Sequence, residues 1–225
     1  MSSSQKKACI GFFAEKKEIY NKCRAESEFL GNYAEGLMGG GSLFILDIGC
    51  GDGGLLNRLV GKTDGCFGVG LDLCRTLIRE GKKRYGNSVQ YLVADAEYLP
   101  FRKRIFDLAV MVTLLHHVVA TTPKKTRAMQ KKILNNAKDA IKPEGKLLLR
   151  ELCPHNKVLS ILLYWLSRCF AHLCLPVAEV SFLTEPELLR IVDSAFSTTR
   201  VLDRFPWSEF DFRIGGRIII LAFRT

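Results

Sequence analysis

Residues 45–54 read ILDIGCGDGG, an apolar run that breaks into a turn with four glycines and two carboxylates, Asp47 and Asp52. Gly49, Gly51 and Gly54 fit the spacing G-x-G-x-x-G, and Asp72 follows about twenty residues on. Such a turn brings backbone N–H groups close to a ligand, usually a pyrophosphate at a helix N-terminus. The carboxylates oppose that ligand. One carboxylate about 4 Å from a phosphate charge costs about 4 kcal/mol at an effective dielectric of about 20. These residue types fit a ligand that is cationic here, with the glycines still needed for close backbone approach. The adjacent His116 and His117 could orient an acceptor or take its proton. Either could equally serve to order its own loop through backbone hydrogen bonds. Cys50, inside the glycine turn, is read as packing.

Positioning these groups requires strands that end where the turn and the histidines begin. Short apolar strands are expected at 43–48, 66–72, 89–94, 105–113 and 146–151, alternating with helices at 54–60, up to about residue 85, and 126–141. That alternation means a parallel sheet with helices on both faces, and ligands meet the carboxyl edge of such a sheet. Residues 1–41 read as a helical segment ended by the MGGGS hinge, and residues 42–225 as the main domain. Near the end, Thr184, Pro186 and Glu187 write a helix start with a capping box. Two strands around 198–205 and 216–223 are expected to form an antiparallel edge pair.

The turn LDIGCGDG resembles the first motif of class I S-adenosylmethionine-dependent methyltransferases. The resemblance continues in order through GVGLDLC, VADAEYLPF, FDLAVMVTLLHHV and IKPEGKLLLREL, covering roughly residues 43–151. It is strongest to the small enzymes that include quinone, lipid and natural-product methyltransferases. It implies a Rossmann-like, doubly wound, mostly parallel α/β sheet with a C-terminal antiparallel strand pair and a helical lid insertion. The implied cofactor, S-adenosylmethionine, carries a sulfonium and an ammonium and no phosphate, which agrees with the carboxylates. By the resemblance Asp47, Gly49 and Gly51 line the methionine end, Asp72 holds both ribose hydroxyls and Leu73 packs on the adenine. Asp95 and Ala96 meet the adenine edge, and Thr113 and Leu114 close the site. The LHH sequence favours His117 over His116 as the catalytic histidine. Asp52 replaces a small hydroxyl residue and is assigned a helix cap; KPEG departs from the usual proline-glycine-glycine at a turn. Asp47 and the later motifs exclude a nicotinamide-dependent oxidoreductase.

The acceptor is the open question. Residues 158–175 form a helix with few polar residues, where Ser160, Tyr164, Arg168 and His172 make one narrow stripe. Arg168 lies well inside it, and a mid-span arginine is costly in a bilayer, so the segment reads as a lid insertion over 152–182. An apolar lid points to a small apolar or lipid-like acceptor, with peripheral membrane contact through this helix and a homodimer as further readings. The chain has 33 Lys and Arg against 23 Asp and Glu, a net charge of +10. Residues 42–150 hold the excess, 19 basic against 10 acidic. Lys124, Lys125 and Arg127 with LPFRKR keep an RNA acceptor open as the alternative, alongside a noncatalytic methyltransferase-like binding partner. The eight cysteines show no metal spacing, so no metal is expected, and with no signal-peptide run at the start the reading is cytoplasmic.

Overall fold

A computed structural model describes residues 3–15, 30–32, 34, 36–37, 41–62, 64–172, 179–206 and 215–224. Much of the expected N-terminal helical segment, including residues 16–29, lies outside them. The elements are helix α1 (Ser3–Glu15), strand β1 (Phe44–Ile48), α2 (Gly54–Lys62), β2 (Phe67–Asp72), α3 (Arg75–Tyr85), β3 (Gln90–Val93) and β4 (Phe106–Val112). A 3-10 turn (Leu115–His117), α4 (Pro123–Ala140), β5 (Ile141–Pro154), α5 (Lys157–His172), α6 (Glu185–Asp193), β6 (Thr198–Pro206) and β7 (Gly215–Phe223) complete the chain.

The seven strands lie in the order β3-β2-β1-β4-β5-β7-β6. The first five are parallel, and β7 runs antiparallel between β5 and β6. This is the Rossmann-like, mostly parallel sheet with an antiparallel C-terminal pair. The strands read as continuous apolar runs because both faces are covered. Leu46, Ile48, Ala109, Met111 and Leu147 point to one face, against Ile133 and Leu134 of α4 and Leu188 of α6. Ile45, Leu108, Val110 and Leu148 point to the other, against Leu55, Leu56 and Leu59 of α2 and the helical residues Leu30 and Ala34. Period-two alternation along each strand divides the two cores.

The sheet reverses direction of winding between β1 and β4, which opens a crevice at the carboxyl edge. β5 is longer than the six residues expected, because the KPEG turn joins its first residues to the ladder. There Glu144 stands at φ +64 and its N–H donates to the Arg224 carbonyl. The capping box at Thr184 is formed, with the Glu187 carboxylate accepting from the Thr184 N–H at 3.1 Å.

Candidate functional site

The turn after β1 is held by two N–H groups, of Gly49 and Cys50, that donate to the Leu71 carbonyl at 2.9 and 3.0 Å. Gly49 and Gly51 have φ of +78 and +57, a region costly to side-chain-bearing residues. A Cβ on Gly49 would also stand 3.0 Å from a Leu114 methyl. Asp52 caps the next helix: its Oδ1 accepts from the Gly54 N–H at 3.2 Å, and Arg84 pairs with its Oδ2 at 2.8 Å. That is the helix-start role assigned from the sequence.

The carboxyl edge encloses a cavity of about 370 Å³. Asp47, Gly49, Asp72, Leu73, Asp95, Ala96, Thr113, Leu114, His116 and His117 all line it. Gly51 reaches it through Asp72, whose Oδ2 accepts the Gly51 N–H at 3.0 Å while Oδ1 accepts the Cys74 N–H at 2.7 Å. A carboxylate has about four acceptor sites, so these donors, with the Leu73 N–H also acting on the carboxylate, fix Asp72 and leave it acceptor capacity for a hydroxyl.

The electrostatics at this end are strongly acidic. Burial, with Asp72 and Asp52 nearby, pushes Asp47 up to about 7. Burial also raises Asp72, against the lowering effect of the backbone N–H groups of Cys74, Gly51 and Leu73. Cys50 is held well above the ordinary thiol range by burial and by Asp47, Asp72 and Asp52, so it is a protonated packing group. Two of the six described cysteines, Cys74 and Cys153, are buried, and Cys169 is exposed. Among the described residues no His, Cys, Asp and Glu group could hold a metal ion.

Helix α1 forms part of the cavity wall, a role the sequence did not reveal. Cys9, Ile10 and Phe13 line the cavity. Lys6 pairs with Asp95, and with Glu97 at 3.3 Å, so Asp95 is already engaged by a lysine as well as by the Glu97 N–H at 2.9 Å. Charge mixing in α1 gives no apolar stripe, so only the folded chain shows which face turns inward.

The two histidines have different surroundings. Nδ1 of His116 donates to the Glu151 carboxylate at 2.6 Å, and both residues are buried. The other Glu151 oxygen accepts the Leu115 N–H at 2.7 Å. Gln130, fully buried on α4, donates to the carbonyls of Leu115 and Ser181 at 2.8 and 3.0 Å, and the Ser181 N–H donates to the His116 carbonyl at 2.8 Å. Phe182 stacks on His116 with centroids 5.0 Å apart. His116 is therefore clamped in place. His117 contacts Phe13 edge-on at 4.8 Å; its Nδ1 is buried and finds no hydrogen-bond partner among the described residues. Burial and the neighbouring His116 lower its pKa well below the usual value, so it is neutral at pH 7. Glu151 and Gln130 were not singled out from the sequence. A glutamate at a parallel strand's carboxyl end, in LLLRELC, was the available signal for the first.

The 152–182 insertion was expected to lie over the site as an apolar lid. Leu152 lines the cavity, but no described residue of α5 does. Its polar stripe faces inward instead. Ser160 donates to the Phe182 carbonyl at 2.7 Å, and Arg168 bonds the Tyr164 hydroxyl at 2.9 Å and pairs with Glu179 at 3.6 Å. Val158, Ile161, Leu162, Trp165, Leu166 and Phe170 point outward. Among the described residues no helix is long and apolar enough to cross a membrane.

Residues 46–149 match the family described as a methyltransferase domain. A tRNA (carboxymethyluridine(34)-5-O)-methyltransferase of Arabidopsis thaliana is 32% identical over 54% of this chain and 27% of its own length. A ubiquinone/menaquinone biosynthesis C-methyltransferase of Wigglesworthia glossinidia brevipalpis is 31% identical over 59% of this chain and 50% of its own. The chain thus spans half or less of the length of these curated relatives. Among solved structures, a SAM-dependent methyltransferase of Thermotoga maritima superposes with a TM-score of 0.63 at 18% identity, covering 96% of this chain and all of that one. That likeness shows the fold.

Proposed function

We propose that this chain, whose residues 46–149 match a methyltransferase domain, is a class I S-adenosylmethionine-dependent methyltransferase that transfers a methyl group to a small acceptor with an apolar body. One observation carries the reading. The glycine-turn end of the cavity presents Asp47, Asp72 and Asp95, and no lysine or arginine among the described residues lining it there. A sulfonium and an ammonium suit that end; a pyrophosphate does not.

The residues present fit the cofactor. Gly49 and Gly51 stand at positive φ, a Cβ on Gly49 would press on the lining residue Leu114, and Asp72 is oriented with acceptor capacity to spare for a ribose hydroxyl. Asp47, Gly49 and Gly51 would hold the methionine end, Leu73 would pack on the adenine with Ala96 at its edge, and Thr113 and Leu114 would bound the reacting region. Bound S-adenosylmethionine supplies a methyl group already activated by its sulfonium. The chain's own contribution is alignment and exclusion of water. The Glu151–His116 clamp fixes the turn that bounds the acceptor, and neutral His117 lines the cavity beside it. Asp95 would hold the adenine edge, sharing its carboxylate with Lys6.

An RNA acceptor is the second reading, favoured by the similarity to the plant tRNA enzyme. Lys124 and Lys125 are exposed at the start of α4, on the active-site side. Arg127, however, is committed to the Phe182 carbonyl at 2.8 Å and to Gln130. Calorimetry with S-adenosylhomocysteine tests the cofactor assignment: Asp72→Ala is expected to weaken binding at least about tenfold, the worth of one charge-assisted hydrogen bond. Unchanged affinity removes the assignment. Labelled-methyl transfer into a cell extract, partitioned into lipid, RNA and protein, separates the acceptors. Label in RNA selects the second reading, and cofactor binding with label nowhere leaves a noncatalytic binding partner.

A further inference from the structure

The cavity is electrically polarised. Its carboxylates cluster at the ends of β1, β2 and β3, while the opposite end is built from β4, β5 and β7. Among the described lining residues, Arg217 alone carries a full positive charge. It sits on β7 directly opposite Leu152 of β5, so both side chains share one face of the sheet, and Leu152 lines the cavity with it. Four strand steps separate β7 from Asp72 on β2, roughly 19 Å at the usual spacing. Between them the wall is Val112, Leu114, Val118, Ile133 and the two histidines. An apolar chamber with an arginine among the residues lining its far end is the complement of an apolar molecule with an anionic head.

Resting on the methyl-transfer reading above, we propose that the acceptor is a carboxylic acid with an apolar body, held at its carboxylate by Arg217 and methylated on a carboxylate oxygen. The proton balance of the site points the same way. An alcohol or amine acceptor must lose a proton, and His117, buried beside His116, resists becoming cationic. The Glu151 carboxylate is already engaged by the Leu115 and Leu152 N–H groups and by His116. A carboxylate arrives with no proton to remove. One of its oxygens forms the new O–C bond to the methyl carbon, while the donor's C–S bond breaks and its electron pair goes to sulfur. The acceptor's negative and the donor's positive charge disappear together. The guanidinium holds the other oxygen, as a planar fork does well.

The test uses the full chain, a tritiated methyl donor and a cell extract, followed by mild alkali, which cleaves methyl esters to volatile methanol and leaves N-, C- and ribose O-methyl groups intact. Most of the label is expected as volatile methanol. Arg217→Gln should lower that labelling at least tenfold through a raised KM, with Arg217→Lys recovering part of it and S-adenosylhomocysteine affinity within twofold of wild type. Alkali-stable label overturns the carboxylate while leaving methyl transfer standing. Absence of any label, with the cofactor product still bound, overturns both. Full activity of Arg217→Gln removes the arginine from the account; if that variant does not fold, the lysine variant and the wild-type label's alkali lability decide.

Discussion

At the scale of single residues, Asp47 sets a pH dependence whose sign follows from its burial. Its carboxyl titrates near 3.8 when unfolded and near 7 in the folded, ligand-free chain. A folded-state pKa raised this way means the native state holds the extra proton between those values. Its stability contribution therefore falls as pH rises from about 4 to about 7. Asp47→Asn is expected to stabilise the ligand-free protein at pH 8 by more than about 1 kcal/mol, read as a higher Tm, while weakening cofactor binding. A cation in the cavity favours the ionised form. Affinity for S-adenosylmethionine should thus rise with pH through about 7 and then level off, with proton release on binding near pH 6 detectable by calorimetry in two buffers. Glu151 holds a buried turn together, so Glu151→Ala should cost about 2–4 kcal/mol in denaturant unfolding, far more than a surface glutamate. Thr113 stands at φ +49, unusual for a β-branched residue, and its N–H is held by the Arg150 carbonyl at 2.8 Å. The strain falls where the cavity needs the chain to turn.

At the scale of elements, two helices trade the roles that composition gave them. Apolar α5 turns its polar stripe inward because Ser160, Ser167 and Arg168 find partners in the backbone of 180–182, in Tyr164 and in Glu179. Truncating Trp165, which is 56% exposed, should change unfolding stability by less than about 0.5 kcal/mol. Arg168→Ala should cost about 1–3 kcal/mol, through lost bonds and packing. The reverse order would mean that the apolar face is the packed one. Helix α1, with no amphipathic stripe, fastens across the cavity through Lys6. Lys6→Ala should speed S-adenosylhomocysteine release severalfold in stopped-flow measurements, since the pair joins α1 to the loop after β3.

For the whole molecule, the cavity lies where the winding of the sheet reverses, so a ligand there bridges elements distant in sequence. S-adenosylhomocysteine at a hundred times its Kd should stabilise the fold by about 2.7 kcal/mol, a rise in Tm of about 5–10 °C for a domain of this size. No shift would mean the cavity is not its site. The strands, the glycine turn, Asp47, Asp72 and the capping box at Thr184 were legible in the sequence because each depends on neighbours within a few residues: apolar runs, spacing and local hydrogen bonds. The placing of β7 between β5 and β6, the clamp of Glu151 and Gln130 on His116, the inward stripe of α5 and the reach of Arg217 into the cavity were decided by tertiary structure. Each joins residues dozens of positions apart. A side chain's partner there depends on which strand edge and helix face the whole sheet brings alongside it, and no local pattern carries that information.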